Sequence, residues 1–188
     1  MKDALKKSLK VCADFNEAEL EEIADSFKPR SVRKKSVLLH EGSTCKEFYF
    51  IQSGCLRTFF IDENGGQRTR HIMLDDHLGT ALTSFISQTP SFESVDAVGD
   101  TELLYISHLD FFRFMKEIEH WKFFYRKFLE RAYMVQNKIF EQLVTRDARH
   151  RYHHILKETP NLIQRVPNRV LASYLNIREE TLSRIKSG

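Results

Sequence analysis

The sequence predicts an α+β fold: an N-terminal double-stranded β-roll (a jelly roll) with flanking helices, then a long helix, then a C-terminal helix-turn-helix. Three observations support this. Short alternating strands separated by turn residues fill most of residues 29–107, a heptad pattern of apolar residues follows, and residues 166–188 fit two short helices joined by a tight turn. The predicted domain divisions are 1–107, 108–145 and 146–188.

The first predicted element is a short helix. Asn16 is suited to cap it, and Glu19 three residues later completes a capping box. Its buried side would carry Leu20, Ile23 and Phe27. The strands that follow are expected at residues 37–40, 47–52, 56–61, 67–74, 92–98 and 102–106. Many short strands of this kind favour a sandwich, a barrel or, as we expect, a jelly roll.

The sequence becomes helical from His108, where Leu109, Phe112 and Met115 form a first apolar stripe. A break is expected at residues 118–120. The next helix carries apolar residues at spacings that alternate between four and three, the heptad pattern of a helix–helix seam: Trp121, Tyr125, Phe128, Ala132, Val135 and Ile139. We expect this seam to contact a second copy of the chain. The alternative is that it packs on the β-roll of its own chain.

Residues 166–188 predict the helix-turn-helix. Pro167 suits the first position of a helix, Ala172 lets a second helix cross closely, and Asn176 tolerates the left-handed backbone of a tight turn. In the second helix, the 3.6-residue period places Thr181, Leu182 and Ile185 on a packing face. The opposite face is free, and it carries Glu180, Ser183, Arg184 and Ser187.

This free face has the chemistry of a DNA-binding surface. Arg184 can donate two hydrogen bonds to guanine and Glu180 can accept one from cytosine, so we predict that these two residues contact bases. The other predicted DNA contacts are Arg178, Glu179, Ser183, Lys186, Arg169, Asn168 and Arg165. The basic members would bind phosphates. Amphipathic helical hairpins are also common in proteins that bind no DNA.

The charge distribution favours the DNA-binding interpretation. Residues 146–188 hold nine Lys or Arg against four Asp or Glu, a net charge of +5, whereas the whole chain carries +3. Residues 1–145 therefore carry −2. A basic excess confined to the terminal segment is typical of a nucleic-acid-binding module.

Several classes of protein are disfavoured. The sequence has no basic-then-apolar N-terminal signal and no long apolar run, so we expect a cytoplasmic protein with no membrane partner. Cys12, Cys45 and Cys55 lack CxxC spacing, and we expect them to be reduced packing residues.

An enzyme is the alternative from another class, because jelly rolls include metal-dependent cupins. A cupin site needs His-x-His and a nearby Glu, which His40, Glu41, His71 and His77 do not supply. Haem would need an axial ligand such as His71 or His77, and an iron–sulfur cluster normally takes four cysteines. No nucleophile motif or phosphate-binding glycine loop is present. We therefore expect no enzyme, no metal site and no certain cofactor.

The order of these parts resembles the cyclic AMP receptor protein / fumarate-nitrate regulator family of transcription factors over nearly the entire chain. The resemblance is carried by HEGSTCKEFYFIQSGCLRTFFIDENG at 40–65, DARHRYHHIL at 147–156 and VPNRVLASYLNIREETLSRI at 166–185. The segments IDENGG and SVDAV and the C-terminal residues are similar to a branch common in Bacteroidetes. The resemblance implies a homodimer that binds a palindromic operator in double-stranded DNA, with RNA polymerase as a further partner.

The resemblance also implies an effector pocket, and here the sequence departs from the family pattern. Cyclic-AMP-binding members use Gly-Glu to hold the ribose and Arg-Ser to hold the cyclic phosphate. The matching pairs in this sequence are Gly79-Thr80 and Glu93-Ser94; the remaining predicted pocket residues are Thr83, Gln136 and Asn137. Glu in place of Arg puts a negative charge where an anion would bind. We expect no tight binding of cyclic AMP, and either a different small-molecule effector or constitutive activity.

Two further departures concern the helix-turn-helix. Arg178 replaces the small N-capping Ser of the family, and Glu179 stands where cyclic-AMP-binding members place a guanine-contacting Arg. The sequence ends within a turn of Ile185, so a full β-hairpin wing is not expected. These departures leave open a signalling module of the same fold with no DNA target.

Overall fold

The computed structural model describes residues 2–187, and its centre is a β-roll of two four-stranded antiparallel sheets. The strands are β1 Lys28–Val32, β2 Val37–Leu39, β3 Glu47–Ser53, β4 Leu56–Ile61, β5 Gln67–Met73, β6 Leu78–Gly79, β7 Ser94–Ala97 and β8 Thr101–Ser107. One sheet has the order β1-β8-β3-β6 and the other the order β2-β7-β4-β5. The predicted jelly roll is confirmed.

Helices flank the roll on its N-terminal and C-terminal sides. They are α1 Lys2–Lys10, α2 Glu17–Ser26, α3 Leu82–Ser87, α4 His108–Glu117, α5 Glu119–Thr145, α6 Ala148–Glu158, α7 Pro160–Arg165, α8 Asn168–Tyr174 and α9 Glu179–Ser187. The capping box of α2 is confirmed, since Asn16 and Glu19 exchange two hydrogen bonds of 2.9 Å. Its predicted stripe of Leu20, Ile23 and Phe27 is buried. No helix of residues 2–187 combines the length and apolarity that crossing a membrane requires.

The sequence did not predict β1 or β6. Pro29 cannot donate to a β ladder, and β1 accommodates it because it lies at the edge of its sheet, paired only with β8. β6 is only two residues long, and it is defined by its pairing with Tyr49 and Phe50 of β3. An element of that length has no periodicity of its own to detect.

Helices cover the second face of β3, so four successive residues of this strand are buried. Phe48 points towards the helices and contacts Phe85, Phe111 and Phe128, with ring centroids 4.9–5.7 Å apart. Such offset and edge-to-face pairs stabilise a core beyond the area that they bury. The roll and its C-terminal helices therefore share one hydrophobic core.

The predicted stripe of α4 is confirmed at Phe112 and Met115, which pack against the core, but it is wrong at Leu109. Leu109 is 81% exposed, whereas Phe111 and Phe114 are fully buried. The helix begins immediately after β8, capped by the Ser107 hydroxyl, which accepts from the Asp110 N–H at 3.1 Å. The strand therefore sets the rotation of the helix, and this rotation turns the phenylalanines towards the core.

The break at Ile118 is confirmed, but the heptad seam divides into two halves. Trp121 is fully buried, and its indole N–H donates to the Phe111 carbonyl at 2.9 Å. Tyr125 packs edge-on against Phe111, and Phe128 packs against Phe48. These first three seam residues contact their own β-roll and are not available to a second chain in the way that the heptad pattern predicts. Ala132, Val135 and Ile139 lie further along α5, beyond these contacts.

The helix-turn-helix of α8 and α9 forms as predicted, with one shift. Pro167 lies just before α8 rather than at its first position. Asn176 has φ +53°, the left-handed backbone expected for the turn. Leu171, Ala172 and Leu182 are buried between the helices.

A pair of glycines tests the turn between β3 and β4. Gly54 has φ +116°, and a Cβ there would lie 2.6 Å from the Thr101 Cα; Gly42 has φ +82° with open space around it. We expect Gly54→Ala to lower the free energy of unfolding by more than about 2 kcal/mol, because backbone strain and a steric clash combine, and Gly42→Ala by about 1 kcal/mol from strain alone. Urea unfolding of both variants measures this. Equal losses would contradict the close approach of the two turns.

Candidate DNA-binding surface and interdomain cleft

The predicted recognition helix is α9, which is anchored by Leu182 and exposes its opposite face. Glu180, Ser183 and Arg184 are exposed on it. The nearest side-chain contact of the Arg184 guanidinium is a long one, 3.5 Å to the Thr181 hydroxyl. Its donors are therefore available to a ligand. Arg178 and Glu179, at the N-terminal end of the helix, are exposed as well.

Residues that flank α9 are less uniform than the sequence suggests. Lys186 donates to the Asn168 side chain at 2.6 Å, which links the end of α9 to the start of α8. Arg169 is exposed. Asn168, Arg169, Arg178, Arg184 and Lys186 are thus all exposed, and the contact between Lys186 and Asn168 brings two of them together.

Arg165 is the exception, because it contacts the β-roll. Its guanidinium donates to the Asp75 carboxylate at 2.9 Å and to the Gly54 carbonyl at 2.8 Å. The hydrogen bond from Arg165 lowers the pKa of Asp75 below its ordinary value. Arg165 cannot make these contacts and bind a phosphate at the same time.

The same docking contact continues through α8, which lies against β5. The Ser173 hydroxyl accepts from the Thr69 N–H at 2.7 Å and donates to the Gln67 carbonyl at 2.8 Å. Apolar side chains extend this contact: Cys55, Ile72, Leu74 and Val98 of the roll join the core of the helical domain. The helix-turn-helix domain thus covers part of the outer face of the β2-β7-β4-β5 sheet, at β5 and the adjoining turns.

The predicted effector pocket does not assemble around one open cavity. Thr80 is buried, and its hydroxyl donates to the Glu47 carbonyl at 2.6 Å and contacts the Cys45 thiol. A Cβ at Gly79 would lie 2.6 Å from the Met73 sulfur. Thr83 is exposed on α3. Ser94 is buried, and its hydroxyl accepts from the Glu41 N–H at 3.0 Å.

Glu93 is also buried, with 2% of its surface exposed, and it faces a cation. Its Oε2 lies 3.5 Å from Arg70 Nη1 and makes no hydrogen bond. Burial raises the pKa of Glu93, although Arg70 opposes the rise. The acid predicted at this position is therefore buried, and an arginine of β5 lies beside it.

The two predicted pocket residues on α5 have different environments. Gln136 contacts the ring of His71 on β5, whereas Asn137 is exposed. Burial, with a smaller contribution from the positive charge of Arg70, lowers the pKa of His71 to about 4. His71 is therefore neutral near pH 7, and it ties the middle of α5 to the roll.

A cleft of about 790 Å³ lies beside this contact. The β4–β5 hairpin forms one wall, the second half of α5 another, and the end of α8 with its turn the third. Of the predicted pocket residues only Gln136 lines it. The lining also includes Phe60, Phe92, Phe140, Arg68, Arg70, Ser173 and Asn176. The cleft thus meets all three parts of the chain.

Sequence reasoning missed Arg70, Phe92 and the hairpin wall of this cleft. The register between β4 and β5 shifts between Thr58 and Phe59, and a bulge of this kind redirects side chains in a way that strict alternation does not predict. The available signal was the charge of Arg68 and Arg70 on a strand that is otherwise half buried.

The cysteines and histidines of residues 2–187 show no clustering of the kind that a metal site needs. Among residues 2–187, no three His, Cys, Asp or Glu side chains converge as metal ligands would. Cys12, Cys45 and Cys55 are free thiols. The His77 ring is exposed and contacts the Asp75 carbonyl at 3.0 Å.

Comparison with known families identifies the central part of the chain. Residues 29–118 match the family model described as "Cyclic nucleotide-binding domain". No curated protein matches the chain. The matched residues run from β1 to the start of α5 and include the roll and α4.

Solved structures share the fold over nearly the whole chain. FixK2 from Bradyrhizobium japonicum has a TM-score of 0.75 and 15% identity, covering 86% of this chain and 83% of that one. A putative transcriptional regulator of the Crp/Fnr family from Eubacterium rectale has a TM-score of 0.72 and 20% identity, covering 92% of this chain and 82% of that one. The catabolite activator protein of Thermus thermophilus has a TM-score of 0.60 and 20% identity, covering 93% of this chain and 83% of that one. The resemblance found in the sequence is confirmed in fold; the Bacteroidetes branch stays a prediction.

His71 makes the stability of the fold depend on pH. The unfolded chain gains a proton at His71 near pH 6.5, whereas the folded chain resists it down to about pH 4, so stability falls as the pH drops through this window. The loss is about 1.4 kcal/mol per pH unit for one proton. We expect His71→Gln to remove it.

Urea unfolding at pH 7, 6 and 5 compares the wild type with His71→Gln and with the control His40→Gln, which changes an exposed histidine. In the control, the free energy of unfolding should fall with decreasing pH as steeply as in the wild type. If it falls equally steeply in His71→Gln, the buried ring is not the source of the pH dependence.

Proposed function

We propose that this chain, whose residues 29–118 match the model of the cyclic nucleotide-binding domain, is a homodimeric, sequence-specific transcriptional regulator. Residues 1–107 would form the sensor, 108–145 the connecting and dimerising helices, and 146–188 the DNA-binding domain. One observation carries the proposal: α9 is packed through Leu182 and presents Glu180 and Arg184 to solvent, and the basic residues Arg169, Arg178 and Lys186 are exposed as well. This arrangement suits a helix that enters the major groove.

The proposed mechanism uses the docking of the helix-turn-helix on the roll. An effector on the sensor side would alter the contacts of α5 and α8, and rotation about the hinge near Asp147 would then set the spacing of two recognition helices in the dimer. Such an effector must bind the two arrangements with different affinity, or it shifts nothing. Arg165 supports this coupling, since release from Asp75 would free it for a phosphate.

The dimer seam that we propose differs from the heptad in the sequence. In the second half of α5, Tyr133, Phe140 and Val144 are 69%, 67% and 68% exposed and are spaced by seven and four residues. This is the spacing of a coiled-coil seam, and three large apolar side chains in water favour a partner helix. A second copy of α5 would cover them.

Cyclic AMP does not fit the residues of the expected pocket. The Thr80 hydroxyl is committed to the Glu47 carbonyl, and Glu93 adds a buried carboxylate where a cyclic phosphate would need a cation. We therefore infer that the physiological effector, if one exists, is another small molecule. We further propose a cytoplasmic protein with no enzymatic activity, acting on palindromic double-stranded DNA and RNA polymerase.

Selection from random DNA duplexes with the purified full chain tests the proposal. A regulator enriches a palindrome whose half-sites are about one helical turn apart. If no palindrome is enriched, the chain is a signalling module of the same fold without a DNA target.

Two arginines distinguish base contacts from phosphate contacts. We expect Arg184→Ala to weaken binding to the selected operator by about 1–3 kcal/mol and to relax the preference at one base pair. Arg169→Ala should weaken binding to all duplexes similarly. It should also reduce the slope of the logarithm of the binding constant against the logarithm of salt concentration by about one. Fluorescence anisotropy against the operator and its single-base variants measures both. A uniform loss in Arg184→Ala would contradict its role in base contact.

The position of the seam is tested by charge. We expect Tyr133→Asp to raise the dimer dissociation constant by about 100-fold or more, because two carboxylates would be buried facing each other. Val135→Asp is the matched control, since Val135 belongs only to the seam predicted from the sequence and is 44% exposed. Analytical ultracentrifugation of both variants measures the effect. Dissociation caused by Val135→Asp but not by Tyr133→Asp would restore the sequence-derived seam.

A further inference from the structure

We propose that the cleft between the β4–β5 hairpin, α5 and α8 binds a small organic acid with one negative charge and an apolar, ring-containing body. Its anchor is Arg70. The binding itself stands independently of any DNA target; its regulatory consequence rests on the proposed function.

The size and the walls of the cleft suit such a molecule. Its volume of about 790 Å³ lies within the range of small-molecule sites. Phe60 and Phe92 form an aromatic wall with ring centroids 6.3 Å apart, and Phe140 lies on the side of α5. Phe92 is 48% exposed, so a bound ring would remove aromatic surface from water.

Arg70 is positioned without being saturated. Its guanidinium lies 5.0 Å from the centre of the Phe92 ring, and its closest carboxylate oxygen, on Glu93, is 3.5 Å away and makes no hydrogen bond. Arg68, by contrast, donates to Asp62 at 2.6 Å. The donors of Arg70 are therefore the ones available to a ligand, and a guanidinium matches a carboxylate in shape and charge.

The charge balance of the cleft limits the ligand to a single negative charge. Its ionisable residues are Asp62, Glu63, Arg68 and Arg70, two acids and two bases. Glu93 lies behind Arg70 and adds a further carboxyl group. Arg68 is already hydrogen-bonded to Asp62, so Arg70 is the basic residue of this lining that has no hydrogen-bonded acid. A single carboxylate can bind to it, whereas a second negative charge on the ligand would meet no further arginine of this kind.

The opposite wall connects the ligand to the helix-turn-helix. Ser173 and Asn176 line the cleft, and Ser173 also holds α8 on β5 through its two hydrogen bonds. A molecule in the cleft would touch the sensor, the long helix and the DNA-binding domain together. Its occupancy is thus linked to the docking of α8.

A matched pair of probes isolates the carboxylate. We expect 4-phenylbutanoate to bind the wild type at least about ten-fold more tightly than 4-phenylbutan-1-ol, as judged by isothermal titration calorimetry of the full chain, because a charge-assisted hydrogen bond is lost in the alcohol. Arg70→Gln should remove this difference, and Arg70→Lys should restore part of it. Arg33→Gln, an exposed arginine outside the cleft, should keep it.

Phe92→Ala tests the apolar wall separately: it should weaken the acid and the alcohol to a similar extent. Equal affinity of acid and alcohol for the wild type, or no acid binding below millimolar concentrations, overturns the proposal. Tighter binding of cyclic AMP than of phenylbutanoate also overturns it. If the chain binds the acid but enriches no palindrome, the regulator proposal fails and this one stands. If it enriches a palindrome but does not bind the acid, this proposal fails and the regulator proposal stands.

Discussion

The rest of the structure depends on the burial of Trp121 at the start of α5. Its indole is enclosed by aromatic rings and hydrogen-bonded to the Phe111 carbonyl. Because a 27-residue helix is stiff, fixing its first turns against the roll also fixes where its last turns lie. The position of Gln136 over His71, the width of the cleft and the starting point of the helix-turn-helix domain all follow from this one anchor.

Local sequence signals predicted those elements whose own residues determine them. The Asn16 capping box, the break at Ile118 and the left-handed Asn176 depend on neighbours within a few residues, and all three are found. Rotations and partners were predicted less well. The heptad of α5 resembles an intermolecular seam, but in its first half large aromatic residues are needed to fill the gap between helix and roll, and spacing alone does not distinguish the two uses.

The site shows the same division between local and tertiary information. Replacement of arginine by Glu93 was visible in the sequence, and it predicted a loss of affinity for a cyclic phosphate. The guanidinium of Arg70, which lies beside Glu93, comes from a strand more than twenty residues earlier, in a region where the register of β4 and β5 shifts. Pairing of two residues across a bulged sheet is a tertiary fact. Position 93 therefore carries an acid in place of the expected arginine, but an arginine from β5 still lies close to it.

Docking of the helix-turn-helix on the outer sheet face also bears on how the protein can be divided. The face beneath it carries the apolar residues Cys55, Ile72, Leu74 and Val98. A sheet face that met water would be expected to carry polar residues instead. A fragment that ends at Thr145 would leave this patch bare, and its own association could be mistaken for the native dimer. The β-roll of this protein therefore carries an apolar patch that is buried only when the C-terminal helices are present.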